Sequence, residues 1–178
     1  MTLFFATLLV ALLLIGLGTF QLVAADRAQR TAVRMLRSKP AAVVLLGIAT
    51  AWFVWKLTQL GAPDFGNYKH WLILLFIATS VLSYFFIPDF LAVRGLAALL
   101  LLSSDAVLDA AYMEPPTTRL FLVGFIYAVI VACMYLASLP YRLRDFYEWL
   151  FRKPYRPRIL AVCSLAYGLL LGWIAFTY

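Results

Sequence analysis

Two aspartates, four residues apart, follow a long apolar run near the middle of the chain. The stretch LLLLSSDAVLDAAYM covers residues 99–113 and contains Asp105 and Asp109. Ionisable residues inside a membrane segment commonly mark ion or proton pathways, because burial favours the neutral carboxyl form. If this stretch is helical, Arg94 lies only about 20° from Asp105 around the helix axis. Asp105, Asp109 and Arg94 are therefore the candidates for binding an ion, a proton or another ligand.

The depth of Asp105 decides between two interpretations of this stretch. Arg94 and Asp105 are roughly 16 Å apart along a helix, so they cannot pair directly. In one interpretation, Asp105 is carried into the membrane and faces other helices. In the other, it marks the outer interface, although an apolar part that ends at Leu102 measures only about 19 Å, short of the ~30 Å hydrocarbon core.

The elements that must position these residues follow from the composition. The chain is 65% hydrophobic and 13% charged, whereas soluble domains are about 45–50% apolar and about 25% charged. We predict an all-α polytopic membrane protein that forms a single transmembrane domain over residues 1–178. The apolar runs predict about six spans, at residues 3–25, 41–60, 71–87, 90–112, 120–139 and 159–178.

The distribution of basic residues predicts the orientation of these spans. Twelve of the fifteen basic residues fall in loops on one side if both termini lie outside. Lys and Arg collect in cytoplasmic loops, so we expect the N- and C-termini outside, in a bacterial inner membrane. The same rule explains the net charge of +7. Nucleic acid is not expected as a partner, because no folded domain remains to bind it.

Two basic surfaces are expected on the cytoplasmic side. The first is a stripe spaced three, four and three residues apart along one helix face, formed by Arg27, Arg30, Arg34 and Arg37. The second belongs to a predicted amphipathic helix over residues 141–153 that lies in the membrane interface. Its basic residues include Arg144, Arg152 and Lys153, and Glu148 is spaced to pair with Arg152. Both surfaces fit contact with a partner or with lipid headgroups, and both also fit ordinary topology charges.

Small residues recur at four-residue spacing in the last two spans. They are Gly124 and Ala128 in the fifth span, followed by Ala132, and Ser164, Gly168 and Gly172 in the sixth. Such stripes let helix backbones approach closely in lipid. We expect the fifth span to pack against the sixth, with homodimerisation or docking on another membrane protein as the alternative.

Enzyme signatures are missing from the sequence. His70 is the only histidine, and we interpret it as an interfacial residue. Cys133 and Cys163 lack metal-site spacing and are interpreted as packing residues. We therefore expect no cofactor and no metal site.

Three functions remain open at this point. The preferred hypothesis is a non-catalytic membrane subunit or scaffold that assembles with partner membrane proteins or with itself. The second is a small transporter or ion-translocating protein that uses Asp105 and Asp109. The third is a lipid-modifying enzyme.

Overall fold

The computed structural model describes residues 2–36, 38–61, 66–86 and 90–178. Within these ranges the chain forms eight α-helices and no strand. The helices are α1 (Leu3–Val23), α2 (Ala25–Leu36), α3 (Lys39–Thr58), α4 (Lys69–Phe86), α5 (Leu91–Ala111), α6 (Arg119–Ser138), α7 (Tyr141–Phe151) and α8 (Tyr155–Ala175). Six of them are long and apolar enough to cross a membrane. The predicted all-α membrane fold is confirmed, and these six helices begin and end within four residues of the predicted spans.

Both chain termini lie at the same end of the helical bundle. The rings of Phe4 and Phe176 meet edge to face, with their centroids 5.8 Å apart. The short helices α2 and α7 contact each other at the opposite end. We call these two ends the terminal end and the α2–α7 end.

The tightest packing joins the first and last long helices. A Cβ atom added at Gly18 of α1 would stand 2.7 Å from Leu165 Cγ and 2.9 Å from the Ala161 carbonyl oxygen. A Cβ atom at Gly168 of α8 would stand 2.9 Å from Ile15 Cγ1. Only hydrogen atoms fit at these two positions, so glycine is what allows the α1 and α8 backbones to approach so closely.

This arrangement corrects the expected packing of the small-residue stripes. Ser164 and Gly168 of α8 face α1, and the Ser164 hydroxyl donates a hydrogen bond to the Leu14 carbonyl at 3.0 Å. Helices α6 and α8 do meet, but through aromatic side chains: the ring centroids of Phe125 and Tyr167 are separated by 5.4 Å. The prediction that the two stripes pack on each other is wrong, because α1, not α6, lies along the small-residue face of α8.

Helix α5 lies between two of the remaining long helices. It packs against α3 on one side and α6 on the other, and Gly95 allows close approach to the α3 backbone near Leu46. Helix α4 packs mainly on α3 and has no buried residue. It is held there by a 2.7 Å hydrogen bond between the hydroxyls of Thr50 and Ser80. The rings of Phe53 and Phe76 also meet edge to face between the two helices.

The basic stripe near residue 30 lies on a separate helix, not on a continuation of the first span. Helix α1 ends at Val23, Ala24 leaves helical geometry, and α2 starts at Ala25. Ala28 and Leu36 of α2 are buried, and α2 contacts α1, α5 and α7. Turning the chain at Ala24 lets these residues pack against the bundle and α7, which is the physical reason for the break.

Candidate functional site

Asp105 forms an ion pair with Lys56 of α3. Lys56 lies two residues before the end of α3, so the pair lies near the terminal end of the bundle. The Asp105 and Lys56 side chains are 54% and 32% exposed. The carboxylate of Asp105 is therefore not enclosed by protein, and it lies level with the last turn of α3.

The three predicted ion-binding candidates are not brought together. Asp109 is exposed, one turn closer to the terminal end than Asp105. Arg94 is near the start of α5, at the α2–α7 end. It is half-buried, and its Nε atom is buried without a hydrogen-bond partner among the described residues. The three residues lie at different levels along α5, inside the helix that is long and apolar enough to cross a membrane, and they do not form one site.

The end of α5 is held by a residue that the sequence analysis did not single out. Arg119, the first residue of α6, donates from Nη1 to the Ala111 carbonyl at 3.2 Å and also to the Glu114 carbonyl. A guanidinium at the carboxyl end of a helix bonds its unpaired carbonyls and favours its dipole. Arg119 thus fixes the turn that follows the two aspartates.

The predicted interfacial helix is present as α7, and its charges are partly paired. The Arg144 guanidinium contacts Asp145 at 2.9 Å and Glu148 at 3.6 Å. The hydrogen bonds that Arg144 donates to Asp145, together with the negative charge of that carboxylate, raise the pKa of Arg144. Glu148 was expected to pair with Arg152, but among the described residues its partner is Arg144, one turn earlier. Arg152 remains exposed.

A groove of about 270 Å³ separates α7 from α2. Its walls combine apolar and charged side chains, namely Gln29, Val33, Leu36, Arg144, Tyr147, Glu148, Phe151 and Arg152. Burial raises the pKa of the Tyr147 phenol. Arg27, Arg30 and Arg34 are exposed along α2, whereas Arg37 lies outside the described residues. The described residues of the two predicted basic surfaces therefore lie next to each other at the α2–α7 end.

One of the two small-residue stripes faces outwards. Gly124, Ala128 and Ala132 of α6 are all exposed, and a Cβ atom added at Gly124 would meet no atom within 4 Å. Gly172 of α8 is more open than Gly168, with its nearest neighbour, Ala11 Cβ, at 3.9 Å. The chain thus uses one stripe for its own packing and leaves the other on its surface.

Among the described residues, no group of three or more His, Cys, Asp or Glu side chains is placed to hold a metal ion. Comparison of the chain with protein-family models, with curated proteins and with solved structures finds no match.

Proposed function

We propose that this protein is a non-catalytic membrane subunit that assembles with another membrane protein or a second copy of itself through α6. The observation that carries the proposal is the exposed stripe of Gly124, Ala128 and Ala132. In lipid, helices associate where small residues let backbones approach. The same spacing on α8 is already buried against α1, so the α6 stripe is the one left for an external helix.

The proposed orientation places the α2–α7 end in the cytoplasm and both termini outside, in a bacterial inner membrane. Eleven of the fifteen basic residues belong to described segments at the α2–α7 end, and Arg37 falls between α2 and α3 in the sequence. This asymmetry supports the orientation through the preference of Lys and Arg for cytoplasmic loops. The exposed arginines of α2 and α7 would then give a partner a second contact surface beside the membrane.

The test replaces a surface glycine with a bulky residue. Gly124→Leu starts its side chain on the exposed face of α6, where an added Cβ atom meets no atom within 4 Å. We expect tagged wild-type protein, extracted in mild detergent from its own host, to retain a stoichiometric membrane-protein partner or second copy. Gly124→Leu should lose that partner while remaining folded and monodisperse.

Gly16→Leu is the matched control. Gly16 lies in α1, is exposed and also has no atom within 4 Å of an added Cβ. A loss of the partner in Gly124→Leu but not in Gly16→Leu supports α6 as the interface. A lone wild-type monomer, or equal retention of the partner by both variants, contradicts the proposal.

The Lys56–Asp105 ion pair favours ion translocation as a second candidate function, because it joins two membrane-spanning helices. Its exposure and its place near the end of α3 weigh against that role, since a carrier group needs an enclosed path. We would measure proton and cation flux in liposomes for wild type, Asp105→Asn and Asp109→Asn. Flux that is absent in wild type, or unchanged in both variants, eliminates this candidate.

A further inference from the structure

Helix α7 leaves two adjoining clefts beneath it at the α2–α7 end. One, of about 590 Å³, is bounded by α1, α6, α7 and α8, and the other, of about 490 Å³, by α7 and α8. They share Phe146, Leu150, Leu160 and Cys163. Each volume lies within the roughly 300–1,000 Å³ range of small-molecule sites. The lining of the shared part is apolar, as a hydrocarbon chain requires.

The edge of the smaller cleft carries an arginine in a defined position. Arg156 lines this cleft, and its Nη1 atom donates to the Trp149 carbonyl at 2.6 Å. Its guanidinium also lies 4.3 Å from the centroid of the Trp149 ring. One carbonyl bond uses only one of the five N–H donors of a guanidinium. The contacts with Trp149 therefore hold the arginine in place and leave other donors for an anion.

Basic residues predominate in the chain that follows Trp149 at this edge. Residues 149–178 include Arg152, Lys153, Arg156 and Arg158 but no Asp or Glu. The nearest acidic residues along the chain, Asp145 and Glu148, contact Arg144. An anion at the edge of the cleft would consequently meet basic groups that no described carboxylate neutralises.

We propose that this cleft binds one anionic phospholipid, with an acyl chain between α7 and α8 and the phosphate at Arg156. A phospholipid matches both halves of the site, because its chain fills apolar space and its headgroup is attracted to Lys and Arg. Free phosphate would leave the apolar cleft empty. The site does not depend on the α6 interface.

The experiment uses the purified full-length protein in detergent micelles. Phosphatidylglycerol with a photoactivatable diazirine in its acyl chain is added, and the labelled residues are mapped by mass spectrometry. We expect labelling concentrated in residues 146–163 and much weaker labelling there by phosphatidylcholine with the same acyl chain. Arg156→Gln should lower phosphatidylglycerol labelling roughly fivefold, the effect of losing about one basic contact with an anionic headgroup. Arg142→Gln, which changes an exposed arginine of α7 that lines neither cleft, should not.

Two variants fill the cleft, and one neighbouring variant does not. Cys163→Phe and Leu160→Trp place bulk where the clefts meet, whereas Val162 is exposed and lines neither cleft. We expect both filling variants to lose labelling of residues 146–163 and Val162→Phe to keep it, with elution volume and thermal stability confirming the fold of each. Unchanged labelling in a folded filling variant, or equal labelling by the two lipids, overturns the proposal.

Discussion

The α1–α8 interface predicts that the same substitution changes stability differently at two glycines two residues apart. Gly16→Ala adds a methyl group in open space, while Gly18→Ala adds one 2.7 Å from Leu165 Cγ and 2.9 Å from the Ala161 carbonyl oxygen. Both replacements gain helix propensity of about 1 kcal/mol. Because both sites lie inside α1, this gain cancels when the two variants are compared.

The difference between the variants therefore measures the cost of the close contact. Overpacking costs typically about 1–3 kcal/mol, so we expect Gly18→Ala to be less stable than Gly16→Ala by that amount. The Leu165 side chain can rotate away, but the Ala161 carbonyl belongs to the α8 backbone, so the two helices must separate slightly. The double variant Gly18→Ala with Leu165→Ala should recover only part of the loss beyond the cost of Leu165→Ala alone.

The assay is equilibrium unfolding in mixed micelles with increasing SDS, followed by circular dichroism for wild type and each variant. Gly16→Ala serves as the matched control, since it changes the same helix by the same atoms. A difference below about 0.5 kcal/mol, smaller than the range expected for overpacking, would refute the close α1–α8 packing. A Gly18→Ala variant more stable than Gly16→Ala would refute it more strongly.

Three further predictions concern individual polar side chains. We expect the Lys56–Asp105 pair to face water at the terminal end, so its coupling energy should be no more than about 1 kcal/mol. A double-mutant cycle of Asp105→Asn with Lys56→Met measures that energy, and a larger value would place the pair in the membrane. Ser164→Ala removes a hydrogen bond to the α1 backbone and should lower the free energy of unfolding by about 0.6 kcal/mol. Ser138→Ala removes a hydrogen bond within a single helix, so it should lower that free energy by less in the same SDS titration. Burial raises the pKa of the Tyr147 phenol above the value of about 10 expected in the unfolded chain. The contribution of Tyr147 to stability is therefore complete below that pH and is lost as pH rises further. Wild type should lose more stability than Tyr147→Phe between roughly pH 9.5 and 11, and equal losses would show that the phenol is not shielded.

Hydropathy alone was sufficient to predict the six long helices and the amphipathic α7. A run of about 20 apolar residues has few stable structures in a bilayer, because every backbone polar group must be satisfied within the segment. The alternation of charged and apolar residues in 141–153 likewise predicted an interfacial helix. These properties are local, so neighbouring residues along the chain determine them.

Only the tertiary structure decided which residues meet. The spacing of small residues identified the face of α8 that packs closely, but nothing in that spacing distinguishes α1 from α6 as its neighbour. Lys56 lies near the end of the second apolar run, and nothing in its local pattern identifies it as the partner of Asp105, 49 residues later. Pairing between distant helices depends on how the helices are arranged around α5, which local patterns do not encode. The break at Ala24 has the same origin, since α2 turns there to bury Ala28 and Leu36 against surfaces formed by other parts of the chain.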